Sequence, residues 1–263
     1  MRKAFTLIEL VVAIGVLAMV LSFASAIFKI SIDSQRTAIA NAEIMQKLRT
    51  ITDQLDADFK SVIYEYGGYI TFNTDTVNIG GSNVDVNSDC IAFFTSGDFQ
   101  STGQYAGRTV AGNVACIFYG QPDPNSFSAV PKPQDKILLR RQTILAGDAS
   151  SAGSPSGEFY RKSLSEWRVD PQFADPRNWA RRPLIDPSDL QTYVTMYLAD
   201  GVDNFTIEFA EWNPTGQLRW IRTKTGTPQN IGTRAFKFTF TLYDPKGVIE
   251  NGRTFTHIVY LHD

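Results

Sequence analysis

Cysteine is nearly missing from this chain: Cys90 and Cys116 are the only two in 263 residues. That is too few for a disulfide-stapled scaffold or a four-thiolate zinc site. Histidine is equally scarce. His257 and His262 lie five residues apart in or beyond a strand, so they point to opposite faces and make a poor metal pair. Neither sign of charge is in excess. The 25 Lys+Arg against 27 Asp+Glu give a net charge of −2, which excludes the whole-chain basic surplus of a nucleic-acid binder. There is no nucleophile motif, phosphate-cradling glycine loop or zinc spacing, so the sequence argues for no enzyme site, cofactor or metal. Proline is absent before Pro122, and no glycine falls between Gly15 and Gly67. Nothing in that long stretch breaks a helix. Hydrophobic residues at 43% and charged residues at 20% suit a folded chain and rule out wholesale disorder. The length suits one large domain or two small ones.

What is present is concentrated at the N-terminus. After Met1-Arg2-Lys3, the 24 residues from Phe5 to Phe28 hold one ionisable side chain, Glu9. A helix of that length spans roughly 36 Å, enough to cross a hydrocarbon core of ~30 Å. The flanking Arg2 and Lys3 should stay cytoplasmic, with the rest of the chain outside. Three readings compete. The run is a plain anchor, a secretory signal cut at Ala24-Ser25-Ala26, or a stretch preceded by a four-residue leader cut after Ala4, with the apolar helix kept in the mature chain. Glu9 separates them. A carboxylate in an apolar span costs ~2.5–3.5 kcal/mol on insertion scales, and neither an anchor nor a signal gains from it. Thr6-Leu7-Ile8-Glu9 also fits a capping box, which explains a Glu but not its place at the head of a membrane helix.

The run Ala4-Phe5-Thr6-Leu7-Ile8-Glu9-Leu10-Val11-Val12-Ala13-Ile14 resembles the N-terminal signature of type IV pilins and type II secretion pseudopilins. The resemblance implies that a prepilin peptidase cuts between Ala4 and Phe5 and N-methylates Phe5. The family usually has Gly where Ala4 stands. Cleavage leaves a charged amine on Phe5, one helical turn from Glu9, which can pair with it or with the amine of a neighbouring subunit. A charge that is costly in lipid is then compensated on assembly.

Beyond Lys29, Ile44, Leu48, Ile51, Leu55, Phe59 and Val62 step by three or four, the period of a helix with one apolar face. This predicts one helix from about Phe5 to about Tyr64, capped by Gly67-Gly68, and little kinked because it lacks proline. The expected organisation is a leader over 1–4, a membrane or filament-core helix over 5–28, an amphipathic helix over 29–66 and a β-rich domain over 67–263. Strands are expected at Tyr69–Phe72, Cys90–Phe94, Val114–Tyr119, Lys136–Arg140, Asn204–Trp212, Gln217–Thr223, Ala235–Tyr243 and Phe255–Leu261. A loop or hairpin fills Asn73–Asp89, and an irregular insertion spans about 146–190. The fold class is α+β: a long N-terminal helix, then a mostly antiparallel sheet. The last seventy or so residues resemble J-type minor pseudopilins and PilW-type minor pilins through Leu198-Ala199-Asp200-Gly201-Val202, Phe205, Trp212, Trp220, Ala235 to Leu242, Tyr243-Asp244 and Gly247.

Other candidates carry two readings each. Cys90 and Cys116 sit in apolar strand runs; as a disulfide they would contribute ~3–4 kcal/mol, and as thiols they would pack as small hydrophobes. Asp75, Asp85 and Asp89 depart from the order of an EF-hand loop, and a loop role is favoured. Arg177, Arg181 and Arg182 with Trp179 fit either a docking patch or a solvated loop. The resemblance implies a non-enzymatic minor subunit of the tip or initiation complex of a type II secretion pseudopilus. Its implied partners are the major subunit, other minor subunits and prepilin peptidase. Its implied location is the bacterial inner membrane, crossed once, with the C-terminal domain in the periplasm. The alternatives are a type IV pilus minor pilin for adhesion, motility or DNA uptake, and an exported binding or hydrolytic domain whose signal is cut after Ala26.

Overall fold

The computed structural model describes residues 7–63, 68–105, 107–146, 157–170, 181–185, 195–212, 215–222 and 235–261. One helix, α1 (Leu7–Phe59), leads the chain without interruption, about 80 Å at 1.5 Å per residue. Residues 7–39 of it bury nothing against the domain; the first buried residue is Ala40. From there the apolar stripe enters the core as its period requires. Ile44, Ile51, Leu55 and Phe59 are buried and Leu48 packs beside them.

The helix stops at Phe59, short of the expected Tyr64, and Gly68 opens a strand instead of capping α1. Backbone pairing explains the early stop. Val62 forms a bridge with Thr95, and the Ile63 amide donates to the Phe94 carbonyl at 2.9 Å. A neighbouring strand therefore takes the hydrogen-bonding groups that another helical turn would need.

Strand β1 (Gly68–Thr71) leads to the hairpin β2 (Thr74–Ile79) and β3 (Ser82–Asn87), closed by Gly80 and Gly81. Both glycines have positive φ, 58° and 89°, the conformation that a two-residue hairpin of this twist demands. Two long strands follow, β4 (Cys90–Tyr105) and β5 (Arg108–Gly120), then β6 (Ile137–Leu145) and the short β7 (Phe159–Tyr160). The described part of the insertion also holds helix α2 (Leu164–Val169), started by a Ser163/Glu166 capping box. The chain ends with β8 (Tyr197–Asp200), β9 (Val202–Trp212), β10 (Leu218–Ile221), β11 (Ala235–Leu242) and β12 (Arg253–Tyr260).

These strands form a six-stranded sheet in the order β1-β4-β5-β6-β7 with β8 also on β6, a four-stranded sheet β10-β9-β11-β12, and the separate β2–β3 hairpin. Helix α1 lies against both large sheets. Phe59 is central, its ring 4.1 Å from Phe93 of one sheet and 5.4 and 5.6 Å from Phe236 and Phe238 of the other. A second apolar layer on the outer face of the six-stranded sheet joins Cys90, Phe94, Cys116 and Phe118 to Trp167 of α2.

That layer corrects the disulfide reading. Both cysteines are buried, unbridged thiols. Phe94 pairs with Cys116, while Ile91 pairs with Tyr119, so the register puts Cys90 four rungs from Cys116, roughly 13 Å at the rise of a strand. No bridge closes over that distance. Burial pushes the Cys90 thiol up to about 11 and Cys116 up to about 12, so the reactive thiolate is scarce near neutral pH. The folded protein should react with a thiol reagent at least tenfold more slowly than free cysteine, and the unreduced protein should titrate two thiols once denatured. A count of zero after denaturation would contradict the register.

Candidate assembly site

The feature to explain is a helix whose first half buries no side chain against the described domain. Between Leu7 and Ile32, every large apolar side chain is about half exposed or more, from Ile32 at 48% to Leu7 at 82%. The exposure runs all round the helix, which is the pattern of a segment made for lipid or for other helices. The segment is long and apolar enough to cross a membrane. Two of its hydroxyls are satisfied internally. Ser22 donates to the Ala18 carbonyl and Ser25 to the Leu21 carbonyl, each at 2.9 Å, which removes their cost in an apolar medium. Glu9 lies in the first turn. Ala4 and Phe5, the expected cleavage and methylation residues, lie outside the described residues.

Two polar clamps hold this helix to the domain. The first is at its root. Lys47 Nζ reaches Asp200 Oδ1 at 2.6 Å and donates to the carbonyls of Asp200 at 3.1 Å and Tyr243 at 3.3 Å. The Leu198–Val202 segment makes that corner. Gly201 has φ +63°, and a Cβ there would stand 2.6 Å from the Tyr243 carbonyl oxygen, so only glycine lets the two carbonyls meet one ammonium. Asp244 shapes the other wall by accepting from the amides of Val248 and Ile249 at 2.9 and 2.8 Å. The second clamp is three turns further on. Asp58 is 5% exposed; it accepts from Arg140 Nε at 2.6 Å and Nη2 at 2.7 Å, and from the Tyr119 hydroxyl. Burial and the Asp58 charge raise Tyr119 well above its ordinary value, so it remains a neutral donor. The two clamps tie α1 to both large sheets.

Residues 1–25 match a family model, the prokaryotic N-terminal methylation motif. This is a type IV pilin-like protein. The match takes in most of the apolar half of α1, and the long helix followed by a mostly antiparallel domain completes the pilin-like layout. No curated protein and no solved structure matches the chain. The motif carries prepilin cleavage, N-methylation and assembly with other pilins, and it points to a structural subunit rather than an enzyme. A single apolar N-terminal helix fits an inner-membrane-anchored pilin with its C-terminal domain outside.

The remaining candidates in this pilin-like domain are engaged structurally. Asp75 is held by Arg182 through two hydrogen bonds of 2.8 and 2.6 Å, with Lys136 3.9 Å away. Asp89, fully buried, accepts from Arg222 at 2.9 and 2.8 Å and from the Ile207 amide. Asp85 takes a hydrogen bond from Thr76. Among the described residues no three His, Cys, Asp or Glu side chains converge as a metal site. His257 bonds Asp56 of α1 at 2.8 Å; His262, Arg177 and Trp179 lie outside the described residues. Arg182 corrects the docking-patch reading. Its guanidinium points inward, donating to the carbonyls of Gln121 and Pro122 as well as to Asp75, and it pins the insertion to the body. Arg181 beside it is exposed.

Burial pushes the Asp75 carboxyl up, but the hydrogen bonds and charge of Arg182 outweigh it and hold the group below its ordinary value. A carboxylate depressed in the folded state stabilises above its unfolded value, near 3.9, and loses that contribution as pH falls through the folded value. Stability should therefore drop below about pH 4. The drop in urea midpoint from pH 7 to pH 3 should be smaller for Asp75→Asn than for wild type.

Proposed function

We propose that this pilin-like chain is a minor pseudopilin, a structural subunit at the tip or initiation complex of a type II secretion pseudopilus. The carrying observation is the apolar half of α1, exposed all round, headed by Glu9 and joined to a domain that grips the other half through Lys47 and Asp58. Prepilin peptidase cuts between Ala4 and Phe5 and methylates the new amine. In the bilayer the Glu9 carboxylate is a cost; beside the Phe5 amine of a neighbouring subunit it is paired. The helix then leaves lipid for a bundle of other helices with its charge compensated, and the domain is carried outward as a lateral contact for other minor subunits. The Leu198–Val202, Tyr243-Asp244 and Gly247 positions, which resemble J-type minor pseudopilins and PilW-type minor pilins alike, support a minor subunit, and those same positions build the root clamp at Lys47. Deletion of the chain should leave exported enzymes trapped in the periplasm with surface pili intact. Loss of surface pili or of DNA uptake with secretion intact would instead assign it to a type IV pilus.

A further inference from the structure

Among the described residues, four buried aspartates sit in ion pairs, and one pair differs in kind. Asp58, Asp75 and Asp89 are met by arginines, Arg140, Arg182 and Arg222. A guanidinium keeps its proton in a protein and carries no lone pair for attack. Asp203 is met by Lys136 instead, at 3.1 Å. The two residues are each 2% exposed. A buried lysine gives up its proton readily, and the free amine is a nucleophile. Burial pushes Lys136 below its ordinary value in spite of the carboxylates beside it.

The backbone holds this pair in place. Lys136 stands just before β6 of the six-stranded sheet, and Asp203 lies on β9 of the four-stranded sheet. The Val202 amide donates to the Lys136 carbonyl at 3.2 Å, and Gln121 Nε2 donates to the Val202 carbonyl at 2.7 Å. Amine and carboxyl are thus brought together by bonds that do not involve them, the arrangement that turns a slow encounter into an intramolecular step. A third group reaches the same amine. Asp75 of β2 lies 3.9 Å from Lys136 Nζ. The two bonds from Arg182 keep Asp75 ionised at neutral pH, which is the state that accepts a proton.

We propose that Lys136 and Asp203 condense to an intramolecular amide, with Asp75 as the proton carrier. One proton passes from the Lys136 ammonium to the Asp203 carboxylate, leaving an amine and a carboxylic acid. The Nζ lone pair then forms a bond to Asp203 Cγ. Asp75 takes a second proton from Nζ and returns it to the Asp203 hydroxyl as the Cγ–O bond breaks. The amide keeps one N–H, one water leaves, and Asp75 ends ionised as it began. No other reactant enters. The step is favoured by what makes a buried ion pair costly, two charges removed from water with little but each other as compensation. The amide is neutral, the water returns to solvent, and the Asp75–Arg182 pair stays balanced.

The bond joins the two large sheets covalently at a corner that already carries load. Asp203 follows closely on Asp200, where Lys47 fixes α1, so a pull on the helix is passed to a covalent tie. Positions 136 and 203 are 67 apart, and closing that loop also constrains the unfolded chain. The inference holds whichever filament the subunit serves.

The test takes the full chain from its membrane, digests it under denaturing conditions and reads peptide masses. Wild type should yield a branched peptide that joins the Lys136 and Asp203 segments and is one water lighter than the two separate peptides together. Asp75→Asn keeps the pair and removes the carrier, so its linked peptide should fall by roughly tenfold or more, with the urea midpoint checking its fold. Wild type decides the bond whatever becomes of the variant. Separate, unmodified Lys136 and Asp203 peptides from the folded wild-type chain would overturn the proposal. An undiminished linked peptide in folded Asp75→Asn would overturn the role given to Asp75.

Discussion

A Glu9→Ala variant should insert into the membrane at least as well as wild type and largely disappear from filaments. Removing the carboxylate relieves an insertion cost of ~2.5–3.5 kcal/mol, so the membrane fraction does not fall. It also removes the partner of the Phe5 amine. A charge-assisted contact of ~1.5–3 kcal/mol corresponds to roughly 10- to 100-fold less incorporation. Sheared-filament yield against membrane yield, by quantitative blotting, measures the ratio. Cleavage at Ala4–Phe5 should persist, so the variant accumulates as a processed but unassembled subunit. Wild-type incorporation would remove Glu9 from the assembly step.

The second large effect lies in the domain. Asp58→Ala should destabilise the fold by ~3–5 kcal/mol, because it leaves Arg140, 17% exposed at its side chain, with no opposing charge and takes an acceptor from the buried Tyr119 hydroxyl. The double variant Asp58→Ala, Arg140→Met should recover a substantial part of that loss, since the penalty comes mostly from the orphaned cation. Chemical denaturation of the two variants and of Arg140→Met completes a cycle. A single-variant loss below about 1 kcal/mol would mean that water reaches the pair. Because Asp58 is the upper clamp of α1, the single variant should also loosen the helix from the sheets, read as faster amide exchange at Leu55 and Phe59.

The sequence carried the large outline because its signals were local and periodic. The stripe from Ile44 to Phe59 read as a buried helix face and is one, and alternation at Phe236, Phe238 and Phe240 read as a strand with one core face, as β11 is. The end of α1 was overrun because Tyr64 is compatible with helix locally, and what stops the helix is pairing with Thr95 and Phe94, some thirty residues on. The lengths of β4 and β5 were underestimated for a related reason. Their outer halves are polar and exposed, so only backbone pairing marks them as strand. The buried ion pairs left no sequence signal at all. Asp58 and Arg140 are 82 positions apart, Asp75 and Arg182 107, and one buried acid looks like any other surface acid until its cation is known. The cysteines illustrate the limit for pairing. Residence in adjacent strands was inferable, but register alone decides whether two thiols meet.

The central claim is that the apolar helix stays in the mature protein and begins at Phe5. Intact mass and N-terminal sequencing of the protein purified from its own membranes test it directly. The account predicts a chain that starts at N-methylated Phe5, with Leu7 to Phe28 retained. A chain starting at Ile27 would mean that the helix is a discarded signal, and would contradict it.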